Sequence, residues 1–367
     1  MRVLMVSKAC IVGIYQKKLE ELARLPGMEL TVVVPPRWRD PTGDIDLERQ
    51  YTSGYELAVE PIVFNGHYHL HFYPGLGKQM RRVQPDLVHM DEEPYNLATA
   101  HALWLARRIG AKSLFFSWQN IYRRYPLPFR LLERYALRQA DHGLVGNRES
   151  VRVWRAKGYE GPISIIPQFG VDPKIFEPAP LGGSGQDFVV GYVGRLVEEK
   201  GVDLLLEALA ELGGASRACI LGSGSAKGTL QAQVRRLGLA DRVSFDDPIP
   251  STRIPAYYRQ LDVLVLPSRT HPNWKEQFGR VLIEAMACGV PVIGSDSGEI
   301  PHVIGDAGLI FPEERADALQ AHLMRLMQDP DLRADLTQRG RERVLAHYTQ
   351  AQIAADTYQV YRTVLGQ

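Results

Sequence analysis

Two glutamates eight positions apart, Glu276 and Glu284, bracket the run Gln277-Phe278-Gly279-Arg280-Val281-Leu282-Ile283. From Val281 the apolar positions Ala285 and Cys288 recur at i+4 and i+7, one face of a helical period. Glu284 shares that face, where a carboxylate is costly unless something pairs with it. Glu276 stands just before the helix, which puts the two carboxylates roughly 10 Å apart along its axis. Between them, Phe278 and Gly279 place backbone N–H groups at a helix start, an arrangement suited to an anion. A carboxylate, an anion cradle and a second carboxylate in a row match a ligand with hydroxyls at both ends and phosphates between, a nucleotide-sugar.

Further candidates stand where strands end. Arg195 and Lys200, in Gly194-Arg195-Leu196-Val197-Glu198-Glu199-Lys200-Gly201, are placed to converge on a diphosphate, one as a fork and one as a point charge. The alternative is two ordinary surface cations. Gly222 and Gly224 occupy a strand-to-helix turn, which is either a nucleotide loop or a tight bend. Glu299, in Ser297-Gly298-Glu299-Ile300-Pro301, either faces a ligand or caps the next helix. In the first half, Val88-His89-Met90-Asp91-Glu92-Glu93 ends a strand with acids that serve an acceptor or the first turn of a helix. Gln119, in Ser117-Trp118-Gln119-Asn120, and Gly13, closing Ser7-Lys8-Ala9-Cys10-Ile11-Val12-Gly13, hold corresponding strand-end positions. His67, His69 and His71 alternate, a one-face strand pattern open to metal, but no nearby acid or cysteine completes a ligand set. No metal site is expected.

The elements that carry these residues alternate throughout. Strand-like runs at 2–7, 30–35, 86–90, 113–118, 142–145 and 163–167 are separated by helical periods at 13–24, 98–108, 129–140 and 149–157. The stretch 36–80 reads as irregular, with strand-like pieces near 55–63 and 67–72. After a Pro/Gly-rich linker at 178–185, a second series begins at 188–195 and continues through 218–221, 243–245, 263–266, 292–295 and 309–311. Alternation of this kind predicts two α/β halves with parallel sheets, and a ligand-binding cleft between domains. The helical tail after 315 has no strand of its own.

The 367 residues, 45% hydrophobic and 23% charged, are those of a globular protein with two domains. No apolar run reaches the roughly 18 residues of a membrane span, and the N-terminus has no signal-peptide layout. Cys10, Cys219 and Cys288 have neither disulfide-framework nor metal spacing, which predicts a reducing, cytoplasmic setting. The net charge of +1 conceals an asymmetry. Residues 1–170 carry 23 Lys and Arg against 17 Asp and Glu, and 101–157 carry 12 against 3. Such a bias fits an anionic acceptor, a membrane surface, a nucleic acid or simply a solvated basic face. The segment 121–135 interleaves arginines with Tyr and Leu, consistent with a membrane interface, a grip on an anionic acceptor or an ordinary packed helix.

The order GRLVEEKG (194–201), LGSG (221–224), EQFGRVLIEAMACGVPVI (276–293) and SGEIP (297–301) resembles retaining glycosyltransferases of family 4. The resemblance spans about 170–315. It implies the GT-B fold: a Rossmann-like acceptor domain at 1–170, a Rossmann-like donor domain at 171–347, and a C-terminal helix at 348–367 returning to the first. It implies sugar transfer from a nucleotide-diphosphate sugar to a hydroxyl acceptor, with retention and without an essential metal or other cofactor. Glu276 would then hold the donor sugar's hydroxyls and Glu284 the ribose. The Phe278 and Gly279 amides would meet sugar or diphosphate, and Arg195 and Lys200 the phosphates. Gly222, Gly224 and Glu299 complete the donor side; Gly13, His89, Asp91 and Gln119 are the acceptor-side candidates. The first half departs from the family: Lys8-Ala9-Cys10-Ile11-Val12-Gly13 replaces the glycine-rich loop, Ser117-Trp118-Gln119-Asn120 stands where many members have a histidine, and Phe169 replaces a usually polar residue. A peripheral contact with the inner membrane face through 121–135 is compatible with this reading, and no nucleic-acid partner is expected. The alternatives are a GT-B epimerase, a phosphorylase, or a non-catalytic sugar-nucleotide binder.

Overall fold

The computed structural model describes all residues except 41–42, 179–186 and 214–215. It divides the chain into two units, Met1–Gly170 with Gln350–Gln367, and Val171–Thr349. Apart from Pro178, the linker read at 178–185 lies outside the described residues.

Among the described residues the first unit is built on seven parallel strands. Across the sheet they run Glu56–Val59, Glu29–Val34, Arg2–Val6, Leu87–Met90, Lys112–Ser117, His142–Val145 and Ile163–Ile165. Its central strand Arg2–Val6 is paired on both sides: Met5 lies opposite Val32 on one neighbour and His89 on the other. The second unit has six parallel strands in the order Val243–Asp246, Ser216–Leu221, Phe188–Val193, Val263–Leu266, Val292–Ser295 and Leu309–Phe311. Numbered within each unit, both sheets run 3-2-1-4-5-6, with a seventh strand added in the first. This is the doubly wound arrangement, in which ligands bind beyond the strand C-termini where the order reverses. Central strands such as Phe188–Val193 and Leu87–Met90 are buried along their whole length, because helices cover both faces of a parallel sheet.

The final helix, Gln350–Leu365, belongs to the first unit and packs against the helix Lys17–Ala23. Its Ile353, Ala354, Val360 and Tyr361 join Val3, Met5, Leu19 and Leu22 in one core. Tyr361 is fully buried, and a 2.6 Å hydrogen bond joins its hydroxyl to Nδ1 of His89. The Tyr358 hydroxyl donates to the Pro26 carbonyl at 2.7 Å.

The stretch 36–80 is more ordered than its composition predicts. Arg37–Asp40 and Gly43–Asp46 form an antiparallel hairpin, and Leu76–Val83 is a helix. The hairpin strands are short and charged, with Arg37 bonded to Asp46 at 2.6 Å, so no apolar alternation marks them. The expected strand near 67–72 is instead a turn: backbone N–H groups of Leu70 and His71 bond back to the His67 carbonyl. His67, His69 and His71 therefore do not share a strand face. The helix expected at 13–24 begins as a 3-10 turn, Gly13–Gln16, and becomes α-helical only over Lys17–Ala23.

Truncating Tyr361 tests how far the first unit depends on this helix. Tyr361→Ala should cost about 3–5 kcal/mol, as for other buried aromatic truncations, and Tyr361→Phe about 1 kcal/mol from the lost hydrogen bond. Tryptophan fluorescence in a urea titration is weighted to this unit, since Trp38, Trp104, Trp118 and Trp154 lie in it and Trp274 alone lies in the second.

Candidate functional site

In the second unit the strand ends bring together groups that are far apart in sequence. Glu276 is only 8% exposed. Its Oε2 accepts from Lys200 Nζ at 2.5 Å and from the Ser268 hydroxyl at 2.9 Å. Lys200 also lies over the Trp274 ring, 4.9 Å from its centroid. The Glu276 carbonyl accepts from the Glu299 N–H at 3.1 Å. Gly298 makes that approach possible: at φ +55°, a Cβ there would stand 2.1 Å from the Glu276 carbonyl oxygen. The turn after the strand Ser216–Leu221 is equally tight, since a Cβ on Gly222 would stand 1.8 Å from the Gly194 carbonyl oxygen. Gly224 lies under the same constraint against the Leu196 carbonyl, and the 194–201 loop is thereby seated on the 222–224 turn.

The two glutamates of the 276–284 run have different partners. The helix begins only at Arg280, with Gly279 as its N-cap, so Glu276 sits in the preceding loop. Glu284, 5% exposed, accepts from the Tyr258 hydroxyl at 2.9 Å and from Arg280 Nε at 2.6 Å. The carboxylate that spacing places on a buried face is thus satisfied by its own i−4 neighbour and a tyrosine. Phe278 is buried edge-on against Tyr348, with ring centroids 5.7 Å apart. Arg195 has a partner of its own. It is exposed and pairs with Glu199 at 3.8 Å. Glu299 is buried and heads the short helix Ile300–Ile304.

A groove of about 660 Å³ in the same unit is lined by Glu198, Asp203, Glu207, Arg236, Arg269 and Glu314, among others. Acids dominate its charged groups. Arg269 is already bound by both oxygens of Asp203 at 2.6 Å. Charge makes it a poor diphosphate site, and the Glu276–Lys200 pair is the better candidate.

The first unit has its own cavity, about 220 Å³, beyond the ends of Arg2–Val6 and Leu87–Met90, where the strand order reverses. Tyr15, Trp38, Tyr68, Phe116 and Trp118 supply aromatic walls. Lys8, Asp91, Glu92, Glu93 and Gln168 supply polar groups. Lys8 Nζ lies 2.8 Å from Glu92 and over the rings of Trp38 and Tyr68 at 5.6 and 5.9 Å. Buried His71 approaches the same Glu92 oxygen at 2.6 Å, so the histidine considered for a metal is held by an acid instead. Burial pushes the Glu92 carboxyl up, but Lys8 and His71 outweigh it and hold the group well below the usual range. Tyr15 stacks on Phe169 at 3.9 Å.

Of the four acceptor-side candidates, Asp91 lines this cavity. Its Oδ2 accepts from Ser7 at 2.7 Å, while buried Oδ1 has no hydrogen-bond partner and lies 3.7 Å from His89 Nε2. His89 is instead buried beneath Tyr361, and burial lowers its pKa to about 4. The Gly13 N–H is held by Glu48 at 2.6 Å. Gln119 is tied to the Ile121 carbonyl at 3.1 Å and to Lys157 at 3.2 Å. Sequence reasoning missed Ser268, Tyr258, Trp38 and Tyr68, whose types carry no local signal. Lys8 was visible only as part of the altered first loop.

Two doubly wound parallel sheets, each with polar groups gathered at its strand C-termini, define the GT-B class. Sucrose-phosphate synthase from Thermosynechococcus elongatus shares this fold over 99% of both chains, with a TM-score of 0.73 at 22% identity. Anabaena Alr3699/HepE in complex with UDP shares it over 99% of this chain and 100% of its own, with a TM-score of 0.75 at 17% identity. The family described as glycosyl transferases group 1 matches residues 174–343. The GDP-mannose-dependent alpha-(1-6)-phosphatidylinositol monomannoside mannosyltransferase of Mycolicibacterium smegmatis is 30% identical over 346 residues, covering 87% of this chain and 86% of that relative. The chain therefore belongs to the group 1 glycosyl transferases.

Glu93 gives the first unit a measurable pH signature. Burial pushes its carboxyl up to about 7 from 4.5, although it accepts from the Ser117 hydroxyl at 2.6 Å and the Trp118 N–H at 2.8 Å. The native state thus holds this proton to higher pH than the unfolded chain does. The resulting stability is complete below about pH 4.5 and is lost as pH rises through about 7, a change of about 3 kcal/mol. Glu93→Gln should flatten that slope, which urea midpoints at pH 5 and pH 8 will read.

Proposed function

We propose that the protein is a retaining transferase that moves a sugar from a nucleoside diphosphate sugar to a hydroxyl acceptor. The second unit holds the donor and the first the acceptor. The observation that carries this reading is the buried Glu276–Lys200 pair at the strand ends, braced by Ser268 and Gly298. An ammonium has three donors. With one N–H on Glu276, Lys200 has others to offer a diphosphate, so one pairing aligns a sugar-binding carboxylate with a phosphate-binding cation. Glu276 accepts from the donor sugar's hydroxyls and Glu284 from the ribose hydroxyls. The Phe278 and Gly279 amides and the 222–224 turn face sugar or diphosphate, and Glu299 fixes the Glu276 backbone. Arg195 leaves Glu199 for the phosphates when donor binds.

In the transfer step the bond from the anomeric carbon to the diphosphate oxygen breaks as the acceptor oxygen bonds to the same face of that carbon. The acceptor's proton passes to the departing phosphate oxygen. Lys200 and Arg195 offset the charge that develops on the leaving group, stabilisation aimed at the transition state. No protein nucleophile and no metal has a role in this scheme. In the first unit, the unpartnered Oδ1 of Asp91 is positioned to accept from an acceptor hydroxyl, and the aromatic walls suit a ring.

Glu276→Ala should abolish transfer while leaving affinity for the free nucleoside diphosphate within about threefold. Glu284→Gln should weaken nucleotide binding itself about tenfold. Calorimetry with free nucleotide, beside a transfer assay, separates the two; equal losses in both variants would remove the assignment. The relative that is named GDP-mannose-dependent makes GDP-mannose the first donor to try, ahead of UDP, ADP and TDP sugars.

We also infer peripheral membrane contact, on the cytoplasmic side, where three free thiols persist. Among the described residues no helix is long and apolar enough to cross a membrane. The segment 121–135 combines Arg123, Arg124 and Arg130 with exposed Tyr122, Leu127 and Leu131, which are 55%, 59% and 55% accessible. Reversing the charge of the three arginines should release the protein from phosphatidylglycerol vesicles in co-sedimentation. Unchanged binding would count against the contact.

A further inference from the structure

A second cavity of the first unit is not used by the transfer scheme. It measures about 300 Å³ and is lined by Arg123, Arg124, Arg130 and Arg134, with Lys157 and Glu133 also on its wall. Lys157 and Glu133 are ion-paired, both nearly buried, and so answer each other's charge. Arg124, Arg130 and Arg134 then face one space, with Arg123 also on its wall. Arg130 and Arg134 stand at i and i+4 on the helix Phe129–Gln139, where like charges are unfavourable. Arg130 is also in the helix's first turn, the end at which cations are disfavoured. Its Nε is buried and has no hydrogen-bond partner. A fold retains such an arrangement at a cost to its own stability when an anion fills the space.

The neighbouring aromatic cavity has the opposite character. Asp91, Glu92 and Glu93 line it against Lys8, and Lys8 is already on Glu92. It repels a phosphate, while its tryptophan and tyrosine faces suit an uncharged ring. The two cavities adjoin along one strip of backbone. Trp118 walls the first and Tyr122 the second, and four residues span at most roughly 14 Å. Gln119 pins the strip between them by accepting from Lys157 and donating to the Ile121 carbonyl.

We propose that the arginine cavity binds a phosphate carried by the acceptor, whose polyol or sugar ring occupies the aromatic cavity beside it. This rests on reading the first unit as the acceptor side, and it narrows the substrate class to phosphate-bearing acceptors. The exposed Leu127 and Leu131 flank the arginines, so the phosphate belongs either to a lipid headgroup or to a soluble ester.

The test uses the full chain as wild type, as Arg130→Gln/Arg134→Gln and as Lys200→Ala. Glycerol 3-phosphate is the soluble probe, and phosphatidylcholine vesicles with or without phosphatidic acid are the lipid probe. Wild type and Lys200→Ala should bind at least one phosphate probe with equal affinity, and the double arginine variant should bind it at least tenfold more weakly. Without phosphate, that variant should melt no lower than wild type, since like-charge repulsion is relieved. Binding of vesicles alone identifies a lipid phosphate; binding of glycerol 3-phosphate identifies a site open to soluble esters. No phosphate binding by wild type, or equal binding by the double variant, overturns the proposal. Nucleoside diphosphate affinity, measured in parallel, reports the donor site independently: its absence would sink the transferase reading and leave the phosphate result standing.

Discussion

A carboxylate held almost out of water is the constraint on which the second unit turns. Removing both charges of Glu276 and Lys200 from solvent costs several kcal/mol per ion unless geometry and further hydrogen bonds repay it. The surrounding chain supplies those repayments from separate places. Ser268 adds a second donor to the carboxylate, Trp274 puts a ring face against the ammonium, and Glu299 ties down the backbone. The absence of a side chain at Gly298 lets that backbone lie where it does. Three strands deliver these groups: Lys200 follows Phe188–Val193, Ser268, Trp274 and Glu276 follow Val263–Leu266, and Gly298 and Glu299 follow Val292–Ser295. The parallel sheet aligns the strand C-termini, and the pair can exist only because it does.

In the first unit the same logic produces a different result. Glu92 is buried beside a lysine and a histidine and remains ionised, while its neighbour Glu93, whose burial outweighs the hydroxyl and backbone N–H it accepts from, does not shed its proton until about pH 7. Two adjacent glutamates of identical intrinsic acidity are driven in opposite directions by what faces them. Charge on this side is therefore distributed by partners rather than by composition, and the net +6 of residues 1–170 says little about any one cavity.

The sheets were legible in the sequence because buried parallel strands are uninterrupted apolar runs, and the positions of the polar groups at the second unit's strand ends because they lie in short motifs there. Pairings between motifs were not. Lys200 and Glu276 are 76 positions apart, and no local pattern states that one neutralises the other. Nor does spacing reveal that Arg195 turns to Glu199, or that Glu284 is met by Tyr258. The hairpin at Arg37–Asp46 was missed because its four-residue strands are held by ion pairs and lack apolar alternation. The alternating histidines misled because period 2 appears in turns as well as strands. His89 was read as a site residue from its strand-end position, but its neighbour is the last helix, 272 positions away.

That last helix has a bearing on how the chain is made. The core around Val3, Leu19 and Leu22 is completed by Ile353 and Tyr361, which a ribosome adds only after the whole of the second unit. Domains ordinarily fold in the order of synthesis. Here the first unit to emerge waits with an open apolar face, and the second can close first. Nascent-chain survival thus falls to whatever shields Leu19 and Leu22 in the interval, a demand on chaperones that the finished structure no longer displays.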